Sequence, residues 1–594
     1  MTDKMKNAAV GDAAAKRHKM KMFLRIFKYM FEHRLTVAFA LVVMISSNAL
    51  ALAGPYLSGK AIAAIEPGPG AVDIDTVLFF CALMALFYAL SSALSYVLSI
   101  TMIHLSRSIV ARMREQVFDK LMRLPVGFFD QNQTGDIISR MSYDIDTINA
   151  SISTDLLQIC SSVITIVVSL IMMIIISPLL VLVFVITIPM SVLFTRYKSK
   201  KIQPLFRRRS AKLGELNGYT EEILSGHRTI KAYHREETMI GRFDSHNDES
   251  VDAYYHADYQ GAMIGPTVNF INNLSLSLIS MFGGVLYLQG MIHLDAISTF
   301  ILYSRRFSGP INEMANIISE LQSAASAAER VFRLLDSEEE PRDADDAVVL
   351  DSPDGRVTAS DVHFSYTPDR EILHGISFDA KAGRTIAIVG PTGSGKTTII
   401  NLLMRFYDQD SGEIRIDGKN TLGITRKSLC RAYTMVLQDT WLFGGTIAEN
   451  IAYGKEGATR EEVVAAAKAA MIDDYIESLP DGYDTVLTED GINLSKGQKQ
   501  LLTIARAMLP ECSILILDEA TSNVDSRTEV KIQSAMAKLM EGKTSLVIAH
   551  RLSTIRDADT ILVLRDGNII EHGTHDELLL CGGFYASLYN SQFS

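Results

Sequence analysis

The sequence predicts two folds in series. The first is an α-helical polytopic membrane domain of six transmembrane helices with long cytosolic extensions. The second is an α/β domain built around a phosphate-binding P-loop. Three observations carry this. Long stretches of the first half contain no charged residue. The second half alternates apolar β-branched runs with helical patterns. One of those runs ends in GPTGSGKT at residues 390–397. The 594 residues suit two large domains better than one. Hydrophobic residues at 48% against 21% charged, with a mean hydropathy of +0.16, call for apolar burial beyond a soluble core. A net charge of −11 argues against nucleic acid as the main partner, because a phosphate-binding face wants a basic excess. Cys81, Cys160, Cys430, Cys512 and Cys581 lie far apart with no CxxC pair. They read as small hydrophobes in a reducing compartment, not as a disulfide frame or a zinc site.

Residues 1–34 form a cytosolic segment. KMFLRIFKYMFEHR at 21–34 places aromatics, Leu and Ile at helical spacing among basic residues, the pattern of an amphipathic helix on a membrane face. The basic stretch is too long for a removed signal peptide, so the apolar run behind it reads as an uncleaved first span. No Cys/His peptidase pattern precedes that span, which argues against a peptide exporter carrying its own protease.

The membrane domain is expected over 35–335. Charge-free runs cover 35–58, 76–103, 156–195 and 259–292. A spanning helix needs about 20 apolar residues. The first two runs fit one helix each. The third fits two, turning at Ser177-Pro178. The fourth fits one long helix. A sixth span is needed to return the chain to the side of the C-terminal domain, although Arg305 and Arg306 interrupt it. A helix starting near Leu294 puts both arginines about 17 Å in, at about 1.5 Å per residue. Central charges cost about 2.5–3.5 kcal/mol each. Two readings stand: the arginines face a wet cavity or partner, or they sit at the cytosolic rim. Basic stretches at 104–120 and 196–212, against an acidic loop after the first span, place both termini and the second domain in the cytoplasm. Helical periodicity at Ile109, Met113, Val117 and Leu121 carries the spans far into the cytosol. VGFFDQNQTGD and ILSGHRTIKAYHRE lie near the tips of these extensions. An acidic linker follows at 336–355, with no packing pattern of its own.

The second domain, 356–594, holds the chemistry. TIAIV at 385–389 is a buried strand, and IINLL continues as a helix. Between them Gly390, Pro391, Thr392, Gly393, Ser394, Gly395, Lys396 and Thr397 fit GxxxxGK[ST], with Thr398 opening the helix. The glycines let backbone N–H groups turn around phosphate oxygens. The helix N-terminus favours the anion. Lys396 reaches the β- and γ-phosphates of ATP, and Thr397 offers its hydroxyl to Mg²⁺. A second apolar strand, 514–517, is expected beside the first. Asp518 emerges at its end to meet Mg²⁺, and Glu519 follows to orient the attacking water.

With NLSKGQKQ at 493–500, the chain resembles the ATP-binding cassette (ABC) proteins, whose signature is of the LSGGQ type. The resemblance implies that Ser495, Lys496, Gly497 and Gln498 of one subunit contact ATP held by the other's P-loop; Lys496 stands where the commonest signature has glycine. It implies an adenine-stacking role for Tyr366 and catalytic roles for Glu519, His550 and Gln438. It makes Thr397, Gln438 and Asp518 the Mg²⁺ ligands and Asp525 the residue that crosses the dimer interface. FFDQNQTGDIISRMSYDIDTIN and SGHRTIKAYHRE resemble the coupling segments of exporters with six spans and one cassette per chain. The resemblance implies an ATPase-coupled translocase of the inner (plasma) membrane. It would move hydrophobic or amphipathic, drug-like small molecules by alternating access with a second half-transporter chain. The runs at 522–559 and 303–332 resemble the catalytically intact chain of bacterial heterodimeric multidrug exporters, so a heterodimer is favoured over a homodimer. A lipid flippase on the same scaffold is the alternative, and an ATP-gated channel is the least favoured reading.

Overall fold

A computed structural model describes residues 24–65, 72–437, 440–487, 494–518, 525–548 and 555–593, apart from the side chains of 311–316, 318 and 319. It divides into two compact units. One comprises Met1–Met122 with Thr134–Ser337, and the other Arg123–Gln133 with Glu338–Ser594.

In the first unit, α1 (24–32) precedes α2 (Arg34–Ala63) and α3 (Ile74–Leu121). A long helix α4 (Thr134–Ile176) turns at Ser177 into α5 (Pro178–Ser225). The turn is as predicted: Ser177 is extended, with φ −159° and ψ 102°, and Pro178 needs no N–H donor at the first helical turn. The fourth charge-free run lies in one long helical segment, Glu236–Leu288, as expected; a single turn residue, Met263, with helical φ −73° and ψ −18°, separates α6 (Glu236–Ala262) from α7 (Ile264–Leu288). The sixth helix α8 runs unbroken from Leu294 to Leu335. Among the described residues five helical segments are long and apolar enough to cross a membrane, the fifth being Glu236–Leu288, and α8 is not among them, because its charges depress the average. Only 6% of the most apolar window of α3 is buried within the chain, so lipid or another chain must cover the rest.

Small residues bring the helices together. A Cβ on Gly54 would lie 2.0 Å from the Tyr88 hydroxyl, and one on Gly59 would lie 1.9 Å from Thr299 Oγ1. Glycine there lets α2 approach α3 and α8, as small residues do in membrane bundles. Tyr303 of α8, buried, donates to the Leu52 carbonyl at 2.8 Å, so its hydroxyl is satisfied inside the bundle. Met173, Leu180, Phe184, Ile279, Phe300 and Phe307 pack a core where α4, α5, α7 and α8 meet.

Two π turns, Arg140–Asp144 and Ser151–Asp155, interrupt α4, and each ends in a buried aspartate. Asp144 is 2% exposed and receives a forked bond from Arg330 of α8: Nε at 2.8 Å and Nη2 at 2.5 Å. α1 divides its apolar residues between protein and surface, with Leu24 and Phe31 exposed. Ile26 and Met30 are buried in protein. Tyr29 stacks on Phe332 of α8 and donates to Gln116 of α3. Arg25 pairs with Asp336 at 2.6 Å, and Glu32 pairs with Arg112.

The second unit is the α/β domain. A four-stranded antiparallel sheet has the order β2 (Arg370–Ala380), β1 (Val357–Thr367), β4 (Ser411–Ile416), β5 (Lys419–Asn420). The central sheet runs β12 (Asn568–Gly573), β11 (Thr560–Arg565), β3 (Thr385–Val389), β10 (Thr544–Ile548), β9 (Ile514–Asp518), β6 (Tyr433–Val436). A small pair joins β7 (Gly445–Thr446) to β8 (Val486–Leu487). The strand expected beside β3 is not its neighbour: β10 lies between β3 and β9, parallel to both. All five residues of β10 are buried, so it fits a central strand covered on both faces. The acidic linker is not free of packing. Glu340 and Asp343 bond Arg426, and Val348 bridges to Ile424. Opposite charge laid along the domain surface orders a segment that carries no apolar pattern.

Candidate nucleotide site and membrane cavity

The P-loop joins β3 to the helix α9 (Lys396–Leu403). Gly393 has φ +82° and Gly395 φ +104°, in the left-handed region that glycine enters without a Cβ penalty. Gly390 is required for a different reason: its Cβ would sit 2.3 Å from the Leu564 carbonyl of β11. The sharp turn puts Lys396 Nζ back over the loop, donating to Gly390 O at 2.7 Å and Pro391 O at 2.9 Å. Burial lowers the Lys396 pKa, and the Asp518 carboxylate opposes that shift. The two strand ends therefore meet electrostatically although β10 separates their strands. Ser394 is 3% exposed, and its Oγ has no hydrogen-bond partner among the described residues. A buried orphan donor, backbone turned by positive φ and a partly desolvated ammonium together fit an anionic polyphosphate. Pro391, Thr392 and Thr397 are exposed on the loop, Thr397 toward solvent and Thr398 buried behind it.

Tyr366, at the end of β1, is held beside α9. Its hydroxyl meets Thr398 Oγ1 at 3.3 Å and Asn401 Nδ2 at 3.0 Å. Its ring packs edge-on to Phe364 and to Tyr407, with centroids 4.9 and 5.0 Å away. Ser495 caps α10 (Lys496–Met508) in a reciprocal box: its Oγ accepts from Gln498 N at 3.3 Å, and Gln498 Oε1 accepts from Ser495 N at 2.8 Å. Ser495 and Lys496 are exposed at this helix end, with Gly497 buried beneath. The geometry suits an anion brought from outside. Asp525 caps α11 (Ser526–Met540), accepting from Thr528 N at 3.0 Å, and these bonds lower its pKa. Gln438, Glu519 and His550 lie outside the described residues.

Two features of this unit were missed. Tyr407 sits under the short helix Val126–Gln131: its hydroxyl donates to Asp130 Oδ2 at 2.5 Å, and its ring lies 2.9 Å from where a Cβ on Gly127 would be. The same tyrosine touches Tyr366, so the VGFFDQ segment and the expected adenine platform share one side chain. Nothing in FYDQD marks it. The second is Arg506 of α10. It donates to Asn450 O at 2.8 Å, Asn450 Oδ1 at 3.0 Å and Trp441 O at 3.0 Å, tying the segment after Gln438 to the helix that begins at Ser495. A lone cation inside LLTIARAM was the available signal.

In the membrane unit, α2, α3, α4 and α8 wall a cavity of about 700 Å³. Arg305 and Arg306 both line it. Ser47, Asn48, Ser95, Gln158 and Ser161 give the remainder a polar lining among otherwise apolar helices.

Comparison with known proteins accounts for this combination. Residues 37–311 match the family described as the ABC transporter transmembrane region, and residues 373–522 match the ABC transporter family. An uncharacterized ABC transporter ATP-binding protein of Bacillus subtilis is 42% identical over 586 residues, covering 98% of this chain and 96% of its own. A fatty acid ABC transporter ATP-binding/permease protein of Mycobacterium bovis is 44% identical over 522 residues, covering 88% and 82%. The solved structure of a bacterial Atm1-family ABC exporter with ATP bound superposes with a TM-score of 0.77 at 32% identity, covering 94% of this chain and 98% of that one. The chain is a member of the ABC transporter family, an exporter-type half-transporter in which one membrane-embedded helical domain is joined to one ATP-hydrolysing cassette.

Proposed function

We propose that this chain is half of a dimeric pump that moves amphipathic small molecules across or out of the membrane by alternating access. The observation that carries the reading is the polar cavity between α2, α3, α4 and α8, on the same chain as a cassette whose P-loop is shaped for polyphosphate. Two cassettes close on two ATP molecules, Ser495 of each facing the other's P-loop. Glu519 orients the attacking water, His550 holds the γ-phosphate, and Gln438 carries the change toward the membrane helices. Thr397, Gln438 and Asp518 would hold Mg²⁺, which when bound draws charge off the phosphates. Asp525 crosses between subunits. Moving the bundle from 1:99 to 99:1 takes about 5.5 kcal/mol of differential binding. Contacts made only in the closed pair are suited to supply it, since they vanish when the cassettes part.

The partner we favour is a second, different half-transporter, with a homodimer as the other outcome. The cassettes and both termini lie in the cytoplasm, at the plasma membrane. Drug-like amphiphiles are the first substrate class. A lipid flippase is the second reading, favoured by two arginines at cavity depth. Sealed vesicles containing the purified chain, with and without a co-purifying cassette chain, test all of this. ATP-dependent dye or lipid movement, arrested by Glu519→Gln with ATP binding retained, is the expected result. Wild-type hydrolysis by that variant would refute the assignment of Glu519.

A further inference from the structure

We infer that the cavity walled by α2, α3, α4 and α8 is a head-group site for an anionic amphiphile, a molecule with a carboxylate or phosphate on an apolar tail, with Arg305 and Arg306 as its charge partners. This rests on the export reading and narrows its substrate class.

The argument begins with depth. α8 starts at Leu294, so the arginines lie 11 and 12 residues along it. That is about 17 Å in a hydrocarbon layer of about 30 Å. Two adjacent cations there are tolerated only with water, a counter-charge or both. Among the described residues no acidic one lines the cavity. Neither guanidinium has a hydrogen-bond or ion-pair partner among the described residues, whereas Arg330 of the same helix is fully engaged by Asp144. Each arginine brings five N–H donors in a planar fork that matches carboxylate or phosphate.

The rest of the lining does not compete for this role. Ser47 and Ser91 exchange hydrogen bonds with each other's backbone carbonyls at 2.9 Å each, and Ser47 Oγ meets Ser95 Oγ at 2.8 Å. Asn48 donates to its own helix at Met44 and accepts from Ser161 at 2.8 Å. These groups satisfy one another and tie α2 to α3 and α4 across a polar, wettable surface. The arginines are left as the recognition elements. A volume of about 700 Å³ exceeds what a bare anion fills and falls in the range of small-molecule sites, roughly 300–1,000 Å³. An anion with a tail matches both the charge and the space.

The test uses the full chain, with any co-purifying partner kept, in detergent for binding and in sealed vesicles for ATP-dependent movement. Dodecanoate, dodecyl phosphate, dodecanol and dodecyltrimethylammonium share a tail and differ in head; acetate and inorganic phosphate have no tail. The two tailed anions should bind at least about tenfold tighter than the alcohol or the cation, as expected for charge-assisted hydrogen bonds. Arg305→Gln with Arg306→Gln should erase that preference. Arg305→Lys with Arg306→Lys should keep part of it, and this pair decides the matter if the glutamine pair fails to fold. Whichever tailed anion binds tighter names the head group. Equal binding of dodecanol and dodecanoate, or a preference that survives the glutamine pair, overturns the assignment and leaves export standing. Acetate or inorganic phosphate competing as strongly as the tailed anions overturns it too, because the site would then serve free anions. Anion-selective binding without ATP-dependent movement of any probe would instead sink the export reading and leave the site.

Discussion

Tyr407→Phe removes one oxygen from the junction between the VGFFDQ helix and the cassette. The ring stays, edge-on to Phe364 at 5.6 Å and to Tyr366 at 5.0 Å, so the expected adenine platform keeps its packing. What goes is the 2.5 Å bond to Asp130. Burial and the Asp130 carboxylate both raise the phenol's pKa, so the hydroxyl keeps its proton and is the donor. A hydrogen bond to a charged group contributes about 1.5–3 kcal/mol when both partners are buried. Asp130 is exposed and can take up water instead, which lowers the expected loss to about 1 kcal/mol. That is about fivefold in the balance between docked and undocked positions of Val126–Gln131. The readout is substrate moved per ATP hydrolysed in sealed vesicles, with phosphate release measured in parallel. The ratio should fall several-fold while the KM for ATP stays within about twofold. Asp130→Asn keeps an acceptor and should do less harm. In the double variant the second change should add almost nothing, the sign that the two side chains act through one bond. A large rise in KM with an unchanged transport ratio would refute the reasoning, for it would place Tyr407 in base binding alone. No effect on either would refute it as well.

Other consequences can be checked separately. Gly395→Ala puts a Cβ at φ +104° and 2.7 Å from Leu373 Cδ2, so ATP binding by equilibrium titration should be lost while the chain stays folded by circular dichroism. Arg330→Ala leaves the Asp144 carboxylate buried without its forked partner; since Arg330 is itself about half exposed, a loss near the low end of the roughly 3–5 kcal/mol for broken buried pairs is expected in denaturant unfolding. Asp144→Asn should cost less, because no charge is stranded. His363 bonds Glu371 at 2.6 Å, which raises the histidine's pKa and lowers the carboxylate's. The histidine's share of stability is complete below its unfolded pKa and fades as pH rises through the raised value. The carboxylate's share is complete above its unfolded pKa and fades as pH falls. Both are present together between about pH 4.5 and 6.5. Titration of labelled His363 by NMR should therefore fall in Glu371→Gln, with Asp361 at 3.4 Å still holding part of the rise, and an unmoved titration would show that Glu371 is not its main partner.

Much of the fold is legible because its rules are local. A charge-free run names a span, and Ser177-Pro178 names a turn, since proline cannot continue the helix before it. The P-loop glycines are legible for the same reason: positive φ at Gly393 and Gly395 is a backbone demand that one residue type meets. Strand order is not local. The apolar run ending at Asp518 and the run at Thr544–Ile548 look alike in sequence, and only the packed sheet shows that the second is inserted between the first and β3. The turn at Met263 does carry a local signal, since Gly261, Gly265 and Pro266 flank it and Pro266 brings no N–H to the helix ladder. Tyr407 and Asp130 lie 277 residues apart, so neither marks the other until the chain is folded.

The sixth helix shows where the two kinds of legibility part. Its apolar signal fails at Arg305 and Arg306, and a hydropathy criterion passes over a continuous 42-residue helix. Those same two residues line the cavity. A span selected only to sit in lipid would have no reason to carry them, since each costs about 2.5–3.5 kcal/mol at mid-depth. The cost is tolerable when the helix faces water or a ligand on that side and protein on the other, as Phe300, Tyr303 and Phe307 do here. The defect in the pattern is thus itself a positional signal. Where a required span reads poorly, the residues that spoil it are the first candidates for contact with whatever crosses.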